Sequence, residues 1–83
     1  MNVAFHPDVY KQLQGLPRTV FAAALRAIIG LAHNPRPPSV KKLAGSRADW
    51  RLRIGEYRIV YEIDDQAKTV TLMRVAHRRE SYR

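Results

Sequence analysis

Residues 50–63, WRLRIGEYRIVYEI, alternate large apolar and mostly charged residues on both sides of Gly55-Glu56. That pattern restricts the chain to a β-hairpin more tightly than any other segment restricts it. A Gly-X pair in a two-residue connection suits a type II′ turn, with one strand ending at Ile54 and its partner starting at Tyr57. The register follows: Arg53 stands opposite Arg58, and Arg51 opposite Val60. Side chains alternate along a strand, so Trp50, Leu52, Ile54, Tyr57, Ile59, Tyr61 and Ile63 share the core face. Arg51, Arg53 and Arg58 collect on the other face, where like charges directly opposite one another are destabilising. Two readings are open at this point. The face is solvated and screened by salt, with Asp49 and Glu62 as counter-charges, or it is an anion site whose ligand offsets the repulsion.

The rest of the chain supplies what the hairpin needs to bury its apolar face. Residues 2–6, with Val3 and Phe5 alternating, predict a short first strand. Pro7-Asp8 opens a helix through about Leu13, proline being tolerated in the first turn where its missing N–H costs nothing, and Gly15 ends it. A longer helix spans roughly residues 17–33, with Phe21, Ala24, Leu25, Ile28 and Leu31 as an apolar stripe. His33-Asn34-Pro35-Arg36-Pro37-Pro38 cannot continue it, so residues 34–48 read as an ordered loop pinned by Val40 and Leu43 and exposing Lys41, Lys42 and Arg47. After the hairpin, residues 64–67 make a second turn and residues 68–75 a last strand. In that strand Val70, Leu72 and Arg74 compete with Thr71, Met73 and Val75 for the core, and a bulge could decide between them. AHRRESYR is the tail. The expected fold is α+β: a β-α-α-β-β-β sandwich with two N-terminal helices on one face of an antiparallel sheet.

At 83 residues the chain has room for a single domain, residues 1–83, with one core. Its 46% hydrophobic content is ordinary for a globular protein, and no run is long enough to span a membrane. The first residues lack the features of a signal peptide. With no cysteine, thiolate metal sites and disulfides are excluded, and a cytoplasmic setting is expected. Fifteen basic against seven acidic residues give a formal charge of +8, and eleven of the basic residues are arginine. The excess lies mainly in residues 35–83, which hold twelve basic and six acidic residues. Arginine stays charged and its planar fork suits bidentate phosphate contact, so the balance points to nucleic acid or an acidic protein partner.

Other chemistries find little support. His6, His33 and His77 are widely spaced and predict no metal site. No Gly-rich phosphate loop is present, and Ser39, Ser46 and Ser81 lack a nucleophile-elbow context. The tail is different. It reads either as a solvated, frayed terminus or as a segment folded back from the last strand, which would bring His77, Arg78 and Tyr82 to the three strand arginines. There, guanidinium groups would stabilise charge developing on a phosphodiester while tyrosine or histidine moved protons.

The run WRLRIGEYRIVYEID, followed at strand spacing by LMRVAHRRESYR, resembles the C-terminal half of RelE-type toxins of the RelE/ParE superfamily; the N-terminal half matches in pattern only. The resemblance implies the toxin of a prokaryotic type II toxin–antitoxin pair, a ribosome-dependent, metal-independent mRNA endonuclease without cofactor. It would cut in the ribosomal A site by attack of the ribose 2′-OH on the adjacent phosphate. Carried over by position, Arg58 grips the scissile phosphate, Arg78 follows the last strand, and Tyr82 stacks on a base and helps activate the nucleophile. His77 is a candidate acid. Arg51, Arg53, Arg79, Lys41 and Lys42 would contact mRNA or ribosomal RNA. Arg51 and Arg53 stand where lysine is common in the family, and arginine releases a proton far less readily, which argues against a general-base role. The implied partner is an acidic RelB-like antitoxin. The alternatives are a ParE-like poison of DNA gyrase and an inactive RNA- or antitoxin-binding relative.

Overall fold

The computed structural model describes residues 1–38, 40–42, 49–77 and 79. Strand β1 (Asn2–Phe5) leads into helices α1 (Pro7–Gln14) and α2 (Arg18–His33), followed by β2 (Lys41–Lys42), β3 (Asp49–Ile54), β4 (Tyr57–Asp64) and β5 (Thr69–His77). His6 caps α1 by accepting the Asp8 N–H on Nδ1 at 3.3 Å, with Pro7 in the first turn. The α+β expectation holds, with two helices against a sheet.

The sheet order is β1-β5-β4-β3-β2, and the expectation of an all-antiparallel sheet is corrected at β1, which runs parallel to β5. The cause lies in the connection. Helices α1 and α2 carry the chain across one face of the sheet, the antiparallel strands return it, and β5 runs beside β1 in the same direction. A parallel pair requires a long crossover, and nearly the whole chain provides one. The loop expected over residues 34–48 is also corrected, because Lys41 and Lys42 pair with Arg51 and Trp50 as a two-residue edge strand. A short, lysine-bearing edge discourages pairing with another chain. Leu43 and Arg47 lie outside the described residues. His77, placed in the tail by sequence, is the last residue of β5.

The hairpin forms in the expected register, with Arg53 opposite Arg58 and Arg51 opposite Val60. Gly55 has φ +57° and Glu56 does not share a positive φ, the signature of a type II′ turn. Leu52, Ile59, Tyr61 and Ile63 are buried on the helical side, with Trp50 and Ile54 packed against them. Val9 and Leu13 of α1 and Ala24, Ile28 and Leu31 of α2 complete the core. Leu25, expected in that stripe, is 39% exposed. It follows Ala24 by about 100° around the helix, which turns it outward.

The parity of β5 is settled by a bulge. Val60 pairs with Arg74 while Tyr61 pairs with Leu72, leaving Met73 as the extra residue. Val70, Leu72 and Val75 are therefore all buried, and Arg74 is exposed. Strict alternation after Leu72 would have driven Arg74 into the core, where an uncompensated charge costs several kcal/mol by rough estimate. The bulge lies where β1 runs out. His6 N–H donates to the Leu72 carbonyl at 2.9 Å, and beyond it the Val75 N–H donates to Gln12 Oε1 of α1 at 2.6 Å, so a side chain completes the ladder.

A clasp fixes the chain after α2. The Tyr61 hydroxyl donates to the Pro35 carbonyl at 2.8 Å, and Arg36 makes a bidentate pair with Asp65 at 2.8 and 3.1 Å. The Arg36 guanidinium also lies 5.4 Å from the centre of the Trp50 ring. Burial pushes the Tyr61 phenol up to about 12, opposed by the nearby Arg36 charge. The native state then keeps this proton where the unfolded chain, with tyrosine near 10, has lost it. Tyr61 thus stabilises the fold fully below pH ~10, and this contribution falls as pH rises through about 12. Comparing ultraviolet titrations of the native protein and Tyr61→Phe should show one phenol ionising only near that upper value, and Tyr61→Phe should lose about 1 kcal/mol of stability at neutral pH. A Tyr61 phenol titrating near 10 in the folded protein would contradict this arrangement.

Candidate nucleic-acid interface

On the face away from the helices, strand register sets basic residues in two rows. In one, Lys41 of β2 stands beside Arg51 of β3, followed by Val60 of β4 and Arg74 of β5. In the next, Arg53 and Arg58 are neighbours, followed by Ala76. Directly opposite residues lie about 5 Å apart between Cα atoms, so the cations of each pair are forced together by the ladder. Lys41, Arg51, Arg53 and Arg58 line a cavity of about 270 Å³.

Each of these groups is held differently. Arg58 lies on a central strand and is only 9% exposed, the buried charged residue among those described. Arginine does not give up its proton when buried, so a fixed positive charge forms the floor of the cavity. Arg53 is more exposed, and its Nε donates to the Gly55 carbonyl at 3.2 Å. This turns its guanidinium back toward the turn while leaving the terminal nitrogens as further donors. None of the side-chain hydrogen bonds or ion pairs among the described residues engages Lys41 or Arg51. Farther along the same face the sign changes, because Asp49 pairs with Glu62 one row beyond Arg51. The face is therefore basic toward Gly55 and acidic toward the β4–β5 turn. There Arg36, by its hydrogen bonds, holds the Asp65 carboxyl below its ordinary value.

The other expected site residues divide. Lys42 pairs with Trp50, and alternation turns it away from Lys41 toward the helical side. His77 pairs with Tyr57, its ring edge-on to the tyrosine at 5.2 Å, and it borders a separate cavity with Lys11, Gln12 and Leu16. The expectation that His77 joins the strand arginines is not met in the strand, because Ala76 takes the place opposite Arg58. His77 Nδ1 instead accepts the Arg79 N–H at 3.3 Å, which leaves Nε2 to carry the proton in the neutral ring. Arg79 is exposed. Arg78 and Tyr82 lie outside the described residues. Arg74, which sequence left undecided, joins the basic face; only the bulge at Met73 reveals it.

A protein-family model described as the ParE toxin of the type II toxin-antitoxin system parDE matches residues 3–82. The chain belongs to this family. The toxin is 35% identical to toxin RelG of Mycobacterium tuberculosis, over 99% of this chain and 95% of that protein. It is equally similar to toxin RelE of the same organism, at 35% identity and 86% coverage of that protein. The chain is thus a type II toxin of the RelE type. Among solved structures, the toxin resembles a chain of the archaeal RelE–RelB complex from Pyrococcus horikoshii at TM-score 0.83 and 29% identity, with 93% of each chain covered. It also resembles the toxin–antitoxin complex RelBE2 of Mycobacterium tuberculosis at TM-score 0.79 and 31% identity, covering 92% of this chain and 95% of that one.

Gly55 holds the toxin's hairpin turn and supplies the carbonyl that orients Arg53. An added Cβ meets no atom within 4 Å there, but φ +57° strains any L side chain. Gly55→Ala should therefore cost about 1–2 kcal/mol in chemical denaturation. Unchanged stability would mean that the turn relaxes to another type.

Proposed function

We propose that this toxin is a ribosome-dependent endoribonuclease that cleaves mRNA in the ribosomal A site. The observation that carries the reading is the cavity whose lining, among the described residues, is wholly basic: Lys41, Arg51, Arg53 and Arg58. Such a surface suits a phosphodiester, and most of all one gaining charge. In the reaction the ribose 2′-oxygen attacks phosphorus and loses its proton, the bond from phosphorus to the 5′-oxygen breaks, and that oxygen takes up a proton. The products are a 2′,3′-cyclic phosphate and a 5′-hydroxyl. Arg58 and Arg53 would hold the non-bridging oxygens, where the transition state carries more negative charge than the substrate, so their attraction strengthens as reaction proceeds. This charge stabilisation comes from fixed guanidinium groups and calls for no metal. Arg51 and Lys41 would bind neighbouring backbone or ribosomal RNA.

Proton transfer needs a group that these arginines do not provide. We assign it to the C-terminal residues, with Tyr82 helping to activate the 2′-hydroxyl and Arg78 adding charge. The register of His77 on the helical side speaks against its acting as the acid. Lys42 and Arg79 fit contacts to ribosomal RNA outside the cavity. An acidic RelB-like antitoxin would neutralise the same basic surface, with charge complementarity speeding its capture. On this reading the protein would act in the cytoplasm as one toxin domain.

Primer extension on mRNA from a translating extract tests the reading. In-frame cuts should appear only when ribosomes are present, and Arg53→Ala should slow them about a hundredfold with the melting temperature nearly unchanged. Cutting at the wild-type rate by both Arg53→Ala and Arg58→Lys would remove the cavity from the mechanism. DNA breakage with mRNA left intact would instead assign the toxin to gyrase.

A further inference from the structure

The basic row does not stop at the cavity. Arg74 stands across Val60 from Arg51, in the same row as Lys41. It is exposed, and none of the side-chain hydrogen bonds or ion pairs among the described residues engages it. Between Arg74 and Arg51 the sheet surface is apolar and low, made of half-buried Val60. Strands are spaced about 4.8 Å apart, so Arg51 and Arg74 rise from backbones roughly 10 Å apart with that apolar strip between them. Two cationic rims over an apolar floor fit a single strand lying across β3, β4 and β5, its sugar or base on the floor and a phosphate at each rim.

Resting on the nuclease reading, we infer that Arg74 binds a second phosphate of the mRNA, adjacent to the one cleaved. The bulge then has a functional consequence. Inserting Met73 both returns Val75 to the core and delivers Arg74 to the RNA-facing surface. Without it, the basic face would end at the cavity and hold the strand from the β2–β3 side alone, leaving the segment beyond β4 free to swing. A second anchor fixes the direction of the chain through the site, which in-line attack by the 2′-oxygen requires.

The test is cleavage on programmed ribosomes of mRNAs in which single phosphates flanking the cut site are replaced by uncharged methylphosphonates. The wild-type toxin should be slowed about five- to tenfold by neutralising one flanking phosphate. Arg74→Ala should slow cleavage of unmodified mRNA by a similar factor and lose sensitivity to that one substitution, with Arg74→Lys recovering part of both. An Arg74→Ala toxin that cuts unmodified mRNA at the wild-type rate overturns the inference. So does one that is slowed yet keeps the full sensitivity at every flanking phosphate. Arg53→Ala serves as the comparator. If it slows cleavage while Arg74→Ala does not, the second anchor fails and the nuclease reading stands; if the wild-type toxin cuts no mRNA, both fall.

Discussion

The pairing of Arg53 with Arg58 across the Gly55 turn is the constraint from which most of the molecule follows. A two-residue turn admits one register, and a shift by a single residue would exchange the two faces of the hairpin. In the observed register Leu52, Ile59, Tyr61 and Ile63 enter the core, and the arginines have nowhere to go but the opposite face. The repulsion between them is therefore a consequence of burying the hydrophobic side. Hydrophobic burial is worth roughly 1.5–3 kcal/mol for each large side chain, and four of them enter the core in this register, against the repulsion of one cationic pair whose Arg53 member is exposed to water and salt. The core wins, and the protein carries a concentrated positive surface in its native state.

What surrounds the hairpin serves that surface from a distance. Helices α1 and α2 cover the apolar face, and Gln12 completes the hydrogen bonding of β5 beyond the end of β1. Tyr61 and Arg36 hold the segment after α2 against the sheet, and a few residues on Lys41 meets Arg51. Arg36 also shields one side of Trp50. Its pairing with Asp65 is solvent-exposed and so adds little stability by itself; its effect is geometric. A charged face built this way belongs to rigid strands, which position side chains more closely than loops do.

The hairpin and both helices were legible in the sequence because each depends on local chemistry: turn residues, a proline in the first helical turn, and apolar spacing. The direction of β1 was not, since its pairing with β5 joins residues 67 positions apart, Asn2 with Thr69, and no local pattern records it. Nor was the clasp, whose partners Arg36 and Asp65 are separated by 29 positions. The alternation in β5 was ambiguous for a physical reason, because one inserted residue changes the parity of everything after it. That ambiguity left Arg74 undecided, while His77 fell in the expected tail because the apolar pattern ends at Val75, two residues before the strand does. Arg51, Arg53 and Arg58 were found because their places follow from the turn alone, while Lys41 reached the cavity through a two-residue strand too short to show a period.

The central claim is that the arginine side of the sheet, and not the helical side, receives the RNA backbone. Side-chain nitrogen NMR of the arginines, recorded while an uncleavable 2′-O-methyl RNA is titrated into the antitoxin-free protein, tests it most directly. The account predicts that the Arg51, Arg53, Arg58 and Arg74 signals shift together as the RNA is added, while the His77 ring and Trp50 indole signals stay in place. Shifts confined to His77 and Trp50, with the strand arginines unmoved, would contradict it.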